Sequence, residues 1–276
     1  MSETKVISAA QFVHPLVFVR DVCDGLKRHH VWRAFAWDET KLRYHRSVLG
    51  LFWIIASYAL FVGGISLFFS GFASLSAQEF TIYVALGYAT FTFLMANIAD
   101  GSAVFSTSSA WIKSTNLPYS IYVFKSLFRS LLPFVMQLTV AFALMLYFGT
   151  FAKVSWHAFM ALPALVMFLL CAVPLQYALG LISARYDDIQ HSINAITRLL
   201  IFITPILWVR EEAHGTRGLL ADLNPMTHFL EIFRNPLMGM DARPLSWMVV
   251  IGVTILMWLF AGLISTLMRQ RLPFWI

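Results

Sequence analysis

Five stretches of this 276-residue chain run for 19 to 27 residues without a charged side chain: Leu51–Phe69, Phe80–Ala99, Ser130–Ala152, Ala158–Ala184 and Leu245–Met268. A helix needs about 20 mostly apolar residues to cross the hydrocarbon core of a bilayer. Each stretch is therefore read as a membrane span, with Pro163 and Pro174 bending the fourth. The composition agrees. Apolar residues make up 59% of the chain and charged residues 12%, against about 45–50% and 25% in soluble domains. Ordinary soluble enzymes, disordered chains and collagen-like chains are excluded. The expected fold class is an all-α polytopic membrane protein forming a single transmembrane domain over 1–276. Residues 1–50 precede its spans and 269–276 follow them.

Orientation comes from positive charge in short loops. A sixth, weaker span over Ile193–Val209, carrying Arg198 and Pro205, places both termini on the cytoplasmic side. The inner segments then hold 15 Lys and Arg residues and the outer ones five. Five spans alone spoil this asymmetry. The basic excess therefore fits membrane lipids and no nucleic acid. Trp53, Trp156, Trp208 and Trp247 fall at span ends, where amphipathic rings prefer to lie. Trp258 falls in mid-span and is read as a packing residue. The first 15 residues show no signal-peptide pattern.

Three segments outside the spans carry pattern. From about Leu26 to Tyr44, a helical period puts Val22, Leu26, Trp32, Ala36 and Trp37 on one face, with Val31 and Phe35 breaking it. Lys41, Arg43 and Arg46 follow. This reads as a helix lying on the membrane surface with snorkelling cations, or as a simple basic flank. Over Ser102–Tyr119, Val104, Phe105, Ser108, Trp111 and Ile112 share a face opposite Ser106, Ser109 and Lys113. Asn116-Leu117-Pro118 ends that helix. A partner-docking element and a membrane re-entry are equally open there. Arg210–Pro244 reads as one or two short helices at the outer leaflet, with Glu231 and Arg234 spaced to pair.

The residues for chemistry are few. No glycine is followed by lysine, so no Walker A loop is present. No histidine pair has metal-ligand spacing, so no metal is expected. No acid–base cluster suits catalysis, and no carboxylate sits at mid-membrane for ion coupling. Arg198 is the one clear intramembrane charge. It is expected to pair with Asp187, Asp188 or a lipid phosphate, with a transport role as the sharper alternative. Aromatic rings are abundant, among them Tyr58, Phe61, Tyr83, Phe91 and Phe202. Such rings stack on sugar faces without demanding one hydroxyl pattern, so a lumen lined by them suits a sliding glycan. Many of them also suit ordinary packing. Ala59 and Gly63, four apart, would allow a close helix–helix seam. Two cysteines on separate segments suggest unpaired thiols.

Lys41-Leu42-Arg43-Tyr44-His45-Arg46-Ser47-Val48-Leu49-Gly50-Leu51-Phe52-Trp53 resembles the entry to the first span of type-2 ABC exporter permeases of polysaccharides. Arg185-Tyr186-Asp187-Asp188-Ile189, Thr204-Pro205-Ile206-Leu207-Trp208 and Asn224-Pro225 with Arg234-Asn235-Pro236-Leu237 resemble later family motifs in the same order. The likeness covers about residues 30–270. Tyr58 stands where the family often has proline. The resemblance implies a homodimer of six-span subunits, with a pore between protomers formed by Leu51–Phe69 and Ile193–Val209. It implies two separate nucleotide-binding ATPase subunits that hold ATP and Mg, and no cofactor on this chain. The surface helix (Trp32, Trp37, Arg43, Tyr44) and the 102–119 loop (Trp111, Lys113, Asn116, Pro118) would meet those subunits. Trp208, His228, Glu231 and Arg234 would belong to outer gate helices. The cargo would be an O-antigen, capsular or related polysaccharide on a lipid anchor, in the bacterial inner membrane. The other readings are the same fold exporting teichoic acid, lipid or drug, a membrane sugar or acyl transferase, and a scaffold without a transport role.

Overall fold

The computed structural model describes residues 16–45, 47–150, 156–212 and 214–276, without the side chains of Leu16, Tyr44 and Glu211. Arg46 and the Tyr44 side chain therefore lie outside the described residues. The elements in chain order are α1 (Leu16–Lys27), α2 (His29–Tyr44), α3 (Phe52–Phe69), α4 (Ala77–Ser102), α5 (Ser109–Ser114) and α6 (Ser120–Tyr147). They continue with α7 (Ala161–Arg185), α8 (Asp187–Ile203), α9 (Gly215–Leu223), α10 (Pro225–Leu237), α11 (Pro244–Met268) and α12 (Leu272–Trp275). No strand occurs among the described residues.

Five helical segments are long and apolar enough to cross a membrane: Phe52–Phe72, Ala77–Ala103, Ser120–Tyr147, Trp156–Arg185 and Pro244–Trp275. They coincide with the five uncharged stretches. The third begins ten residues earlier than the charge pattern suggested. Lys125 and Arg129 stay helical because acidic partners meet them, as described below. Pro163 sits in the first turn of α7, where a missing N–H costs nothing, so Pro174 is the interior proline. Ser76 and Glu79 form a reciprocal capping box at the start of α4, which explains the lone acid at that edge.

The segment read as a sixth span behaves differently. Its helix, α8, starts at Asp187 and stops at Ile203, because Thr204 is extended before Pro205. Tyr186 is extended too and separates α7 from α8. Asp187 and Asp188 occupy the first turn of α8, where the helix dipole favours acids. Arg198 is exposed and has no ion-pair partner among the described residues. It lies about 16 Å along the helix from Asp187, too far for the expected pairing.

α4 forms the centre. α3, α6, α7 and α8 each pack on it, α3 touches α6, α6 touches α7, and α7 touches α8. α3 and α8 flank the remaining side. Of the most apolar stretch, 67% is buried in α4 and only 11% in α3, and α8 has no buried residue. Gly101 lets α4 approach α7: a Cβ there would stand 2.9 Å from the Gln176 Cα. Nearby, Gln176 Nε2 donates to Asn97 Oδ1 at 2.5 Å. Trp258 packs as expected, its ring 5.3 Å from Phe18 and its Nε1 donating to the Leu170 carbonyl at 2.9 Å.

α1, α2, α5 and α12 gather at one end, the base. α9 and α10 close the other, the cap. The surface helix expected over Leu26–Tyr44 is two helices, since Arg28 takes φ −89°, ψ 40° and breaks the register. Ala36 is buried and Trp37 exposed, so the proposed single apolar face does not hold. The helix expected over Ser102–Tyr119 is likewise broken into a turn, the short α5 and an extended stretch. Val104, Phe105, Ser108 and Ile112 are nevertheless buried, whereas Trp111, read onto the same face, is exposed.

Candidate functional site

The base is held by buried charge. Asp21 of α1 accepts from the Ser120 N–H at 2.8 Å and the Tyr119 N–H at 3.3 Å, satisfying the free donors that open α6. Arg269, just after α11, donates to the same carboxylate at 2.5 Å. A second cluster joins α2 to the bundle. Glu39 pairs with Arg129 and, at 3.1 Å, with Lys125. Arg129 also reaches Asp100 at 2.9 Å, and Lys125 donates to Ser108 at 3.1 Å. Burial alone would raise the Glu39 carboxyl, but the two cations outweigh it and hold it below its ordinary value. Lys125 and Arg129 are four apart on α6, a spacing that could have signalled a shared acidic partner. Sequence reasoning passed over them because they precede the uncharged run.

These contacts bring the two expected base elements together. The Trp111 ring of α5 lies 4.8 Å from Phe35 of α2. Phe35 is one of the residues that broke the apolar pattern. Trp32 packs on Phe124 and Phe128 at 5.8 and 5.7 Å. Trp37 and Arg43 are exposed, with the Lys41 ammonium 5.5 Å over the Trp37 ring. Beside α5 opens a cleft of about 800 Å3, walled by Lys113, Asn116, Leu117, Arg269, Gln270 and Pro273. Pro118 is half-buried beneath it, and its carbonyl starts the first turn of α6.

The motif before α3 has a local cause. Gly50 takes φ +53°, a conformation that favours glycine, and its N–H donates to Ser47 Oγ at 3.0 Å. On α3, Tyr58 is buried and its hydroxyl donates to the Ala85 carbonyl at 2.8 Å. Phe61 is half-buried and stacks on Tyr88 at 3.8 Å. Tyr83 and Phe91 are buried inside the protomer, whereas Phe202 of α8 is 67% exposed. The five rings singled out as a lumen therefore divide: three pack inside, Phe61 is half-buried against Tyr88, and Phe202 is exposed. Sequence reasoning missed the cavity near the cap. It holds about 520 Å3 and is walled by Phe69, Phe72, Phe80, Phe202, Trp208 and Arg217. The Arg217 guanidinium lies 4.2 Å over the Trp208 ring.

At the cap, the later sequence motifs converge on one point. Pro205 N-terminates no strand or helix; its carbonyl accepts from Arg234 Nη1 at 2.8 Å. The same guanidinium lies 3.5 Å over the Tyr83 ring. Tyr83 Oη is 3.3 Å from the Pro205 and Trp208 carbonyls and accepts from the Arg210 N–H. Asn224 accepts from the Met226 N–H to cap α10 and donates to Thr204 Oγ1 at 2.9 Å. Gly87 leaves the room: a Cβ there would stand 3.2 Å from Arg234 Nη1. The end of α8 is thus tied to α4 and α10, although α8 has no fully buried residue.

The expected Glu231–Arg234 pair does not form. Glu231 is claimed by Arg243, whose Nη2 donates at 2.6 Å and Nε at 2.8 Å, and by Ser246 at 2.9 Å. Arg243 also reaches Asp222 at 3.2 Å, which pairs in turn with Arg210. His228 is buried between Ser246 Oγ and the Asp222 carbonyl, each at 2.8 Å. The Arg210 hydrogen bond leads in holding Asp222 below its ordinary value. For Glu231, burial pushes upward, but Arg243 outweighs it and the carboxyl is lowered. Both carboxyls titrate lower folded than unfolded. Their contribution is complete above the unfolded values near about 4 and is lost as pH falls through the folded ones. Protection factors over 215–243, corrected for the intrinsic pH dependence of amide exchange, are therefore expected to be flat from pH 8 to 5 and to fall only below about pH 4.

Among the described residues no group of His, Cys, Asp and Glu is arranged to hold a metal. Cys23 is exposed, Cys171 buried, and neither is in a disulfide. Comparison with known proteins gives the family. The chain is 24% identical over 226 residues to the O-antigen export system permease protein RfbA of Myxococcus xanthus, covering 79% of this chain and 85% of the relative. It is 19% identical over 207 residues to the protein of the same name from Klebsiella pneumoniae, covering 74% and 80%. Residues 30–238 match the ABC-2 type transporter family. A multi-pass helical membrane protein with these motifs meeting at its cap and base, this chain belongs to the ABC-2 type transporter family.

Proposed function

We propose that this chain is the membrane subunit of an ATP-driven exporter in the bacterial inner membrane, moving a lipid-linked polysaccharide of the O-antigen type. Two similar O-antigen export permeases, each aligned over more than 70% of this chain, carry the reading. In this reading α8 is the sixth pass, both termini are cytoplasmic, and the base faces the cytoplasm. Two copies associate through α3 and α8, the two long elements with least burial in the single chain. The exposed Ala59 and Gly63 support close approach there. Phe61, Phe202 and the cap cavity with Trp208 line the path. Export of teichoic acid, lipid or drug and sugar or acyl transfer are not favoured by these relatives.

ATP and Mg belong to two separate nucleotide-binding subunits, which dock at the cleft beside α5. Their closure moves α5 and α2 together, through the Phe35–Trp111 contact and the Glu39–Arg129 cluster. The motion reaches α8 at its Tyr186 break and pivots it about the tied Thr204–Pro205 joint. Coupling requires that nucleotide-driven closure favour one pore state over the other. The Lys113 side chain is exposed on the cleft wall. Lys113→Glu is expected to weaken docking about tenfold by placing a charge of the wrong sign at the rim, with membrane insertion intact. Binding of the purified ATPase subunit, followed by surface plasmon resonance, checks it. The reading as a whole is tested by purifying the chain in mild detergent. A co-purifying subunit that hydrolyses ATP at equal copy number supports it. A chain that purifies alone from membranes preserving other such complexes overturns it.

A further inference from the structure

A single extended residue, Tyr186, separates the long helices α7 and α8, and α8 begins there without a side-chain cap. Arg185, the last residue of α7, is exposed. It has no ion-pair partner among the described residues, although Asp187 and Asp188 follow it closely. Its guanidinium lies instead 5.2 Å from the centre of the Tyr186 ring and 5.3 Å from that of Trp275 in α12. Both distances are within cation–π range. One cation therefore joins the break to a helix from elsewhere in the chain.

α12 is firmly seated. Leu272 is fully buried. Just before it, Arg269 pairs with the Asp21 carboxylate that also satisfies the start of α6. The short helix packs on both α5 and α7. Gln270 and Pro273 stand in the wall of the cleft beside α5, together with Lys113 and Asn116. Pro273 and Trp275 are two positions apart on one helical turn, about 3 Å along its axis. A shift of the cleft wall at Pro273 therefore carries the Trp275 ring with it. Beyond the break, α8 runs for 17 residues, about 25 Å at the helical rise. Turning it by about 5° at Tyr186 moves its far end by about 2 Å.

We infer that Trp275 is a positioning residue: through Arg185 it holds the Tyr186 break, and it carries movement of the cleft wall to α8. The hold rests on the contacts of this chain alone. The transmission rests on the exporter reading, in which an ATPase subunit occupies the cleft. It supplies the route from base to α8, with α12 as the piece that touches both the docking element and the break.

Hydrogen exchange in the full chain, with any subunits that co-purify, tests the hold. Trp275→Leu keeps apolar bulk and removes the ring, and exchange over 186–194 is expected to rise about threefold, with 161–180 unchanged. Trp275→Phe keeps a ring and is expected to stay near wild type, a distinction that apolar packing alone would not make. In an Arg185→Met background the effect of Trp275→Leu is expected to vanish, because the two side chains act through one contact. Wild-type exchange in Trp275→Leu, equal rises in the Leu and Phe variants, or an effect that persists without Arg185 overturns the hold. Transmission is read in the assembled complex as polysaccharide exported per ATP hydrolysed, expected to fall about threefold in Trp275→Leu at unchanged complex yield. An unchanged ratio overturns the transmission and leaves the exporter reading standing. A wild-type complex without ATP-driven export overturns that reading and the transmission with it, while the hold stands or falls on the exchange result.

Discussion

Arg234→Met is expected to stop export while leaving the chain folded, inserted and bound to the proposed ATPase subunit. Arg234 is 2% exposed, and its observed partners are a carbonyl and an aromatic ring rather than a carboxylate. Removing a cation from water costs several kcal/mol after relaxation. The return is about 1.5–3 kcal/mol from a charged hydrogen bond and about 2 kcal/mol from a desolvated cation–π contact. The balance is near zero, so methionine of similar length changes global stability by only about 1 kcal/mol. What it removes is the shortest tie on the Pro205 carbonyl, which loosens the joint at the end of α8 that Tyr83 and Asn224 also hold. Polysaccharide export is expected to fall at least about tenfold, with ATPase activity and complex yield near wild type. Export at the wild-type rate in Arg234→Met would show that the joint has no part in opening.

Arg129→Met is expected to act at the other end. It breaks a charge cluster whose members differ in access to water: the Arg129 side chain is 14% exposed, Glu39 and Asp100 each 33%. Removing one partner of a buried pair costs about 3–5 kcal/mol, and water around the acids places this case at roughly 3 kcal/mol. The loss concentrates on the contact of α2 with α6 and α4. Amide hydrogen exchange over 29–44 should rise while 161–185 stays protected, and ATP hydrolysis should continue without matching export. Uniform loss of protection across all helices would instead mark a general folding defect. Unchanged exchange in α2 would show that the cluster does not hold the surface helix.

How much of this was legible depends on which force decided each element. The five long spans were readable because a bilayer demands an unbroken apolar run, and charge marks its ends. The start of α6 was not, because Lys125 and Arg129 are tolerated only through Glu39 and Asp100, residues 86 and 29 positions away from their partners. α8 was misplaced by six residues at each end, since its hydropathy peaks over the Pro205 segment while its helix starts at Asp187. The cap was legible as short helices, but not its pairing. Spacing alone suggested Glu231 with Arg234, and only the fold brings Arg243 to Glu231 and Pro205 to Arg234. The aromatic residues show the same limit: composition counts rings, and packing decides that Tyr58, Tyr83 and Phe91 turn inward while Phe202 does not.

In the proposed function this chain carries a finished lipid-linked polysaccharide across the membrane rather than helping to make it. The direct measurement is the amount and location of that polymer in cells from which the chain has been deleted. Export requires that full-length lipid-linked polysaccharide accumulate on the cytoplasmic side while it disappears from the surface, and that the intact chain restore it. Loss of the polymer from both places would contradict the claim and assign the chain to synthesis; a normal surface polymer would remove it from the process.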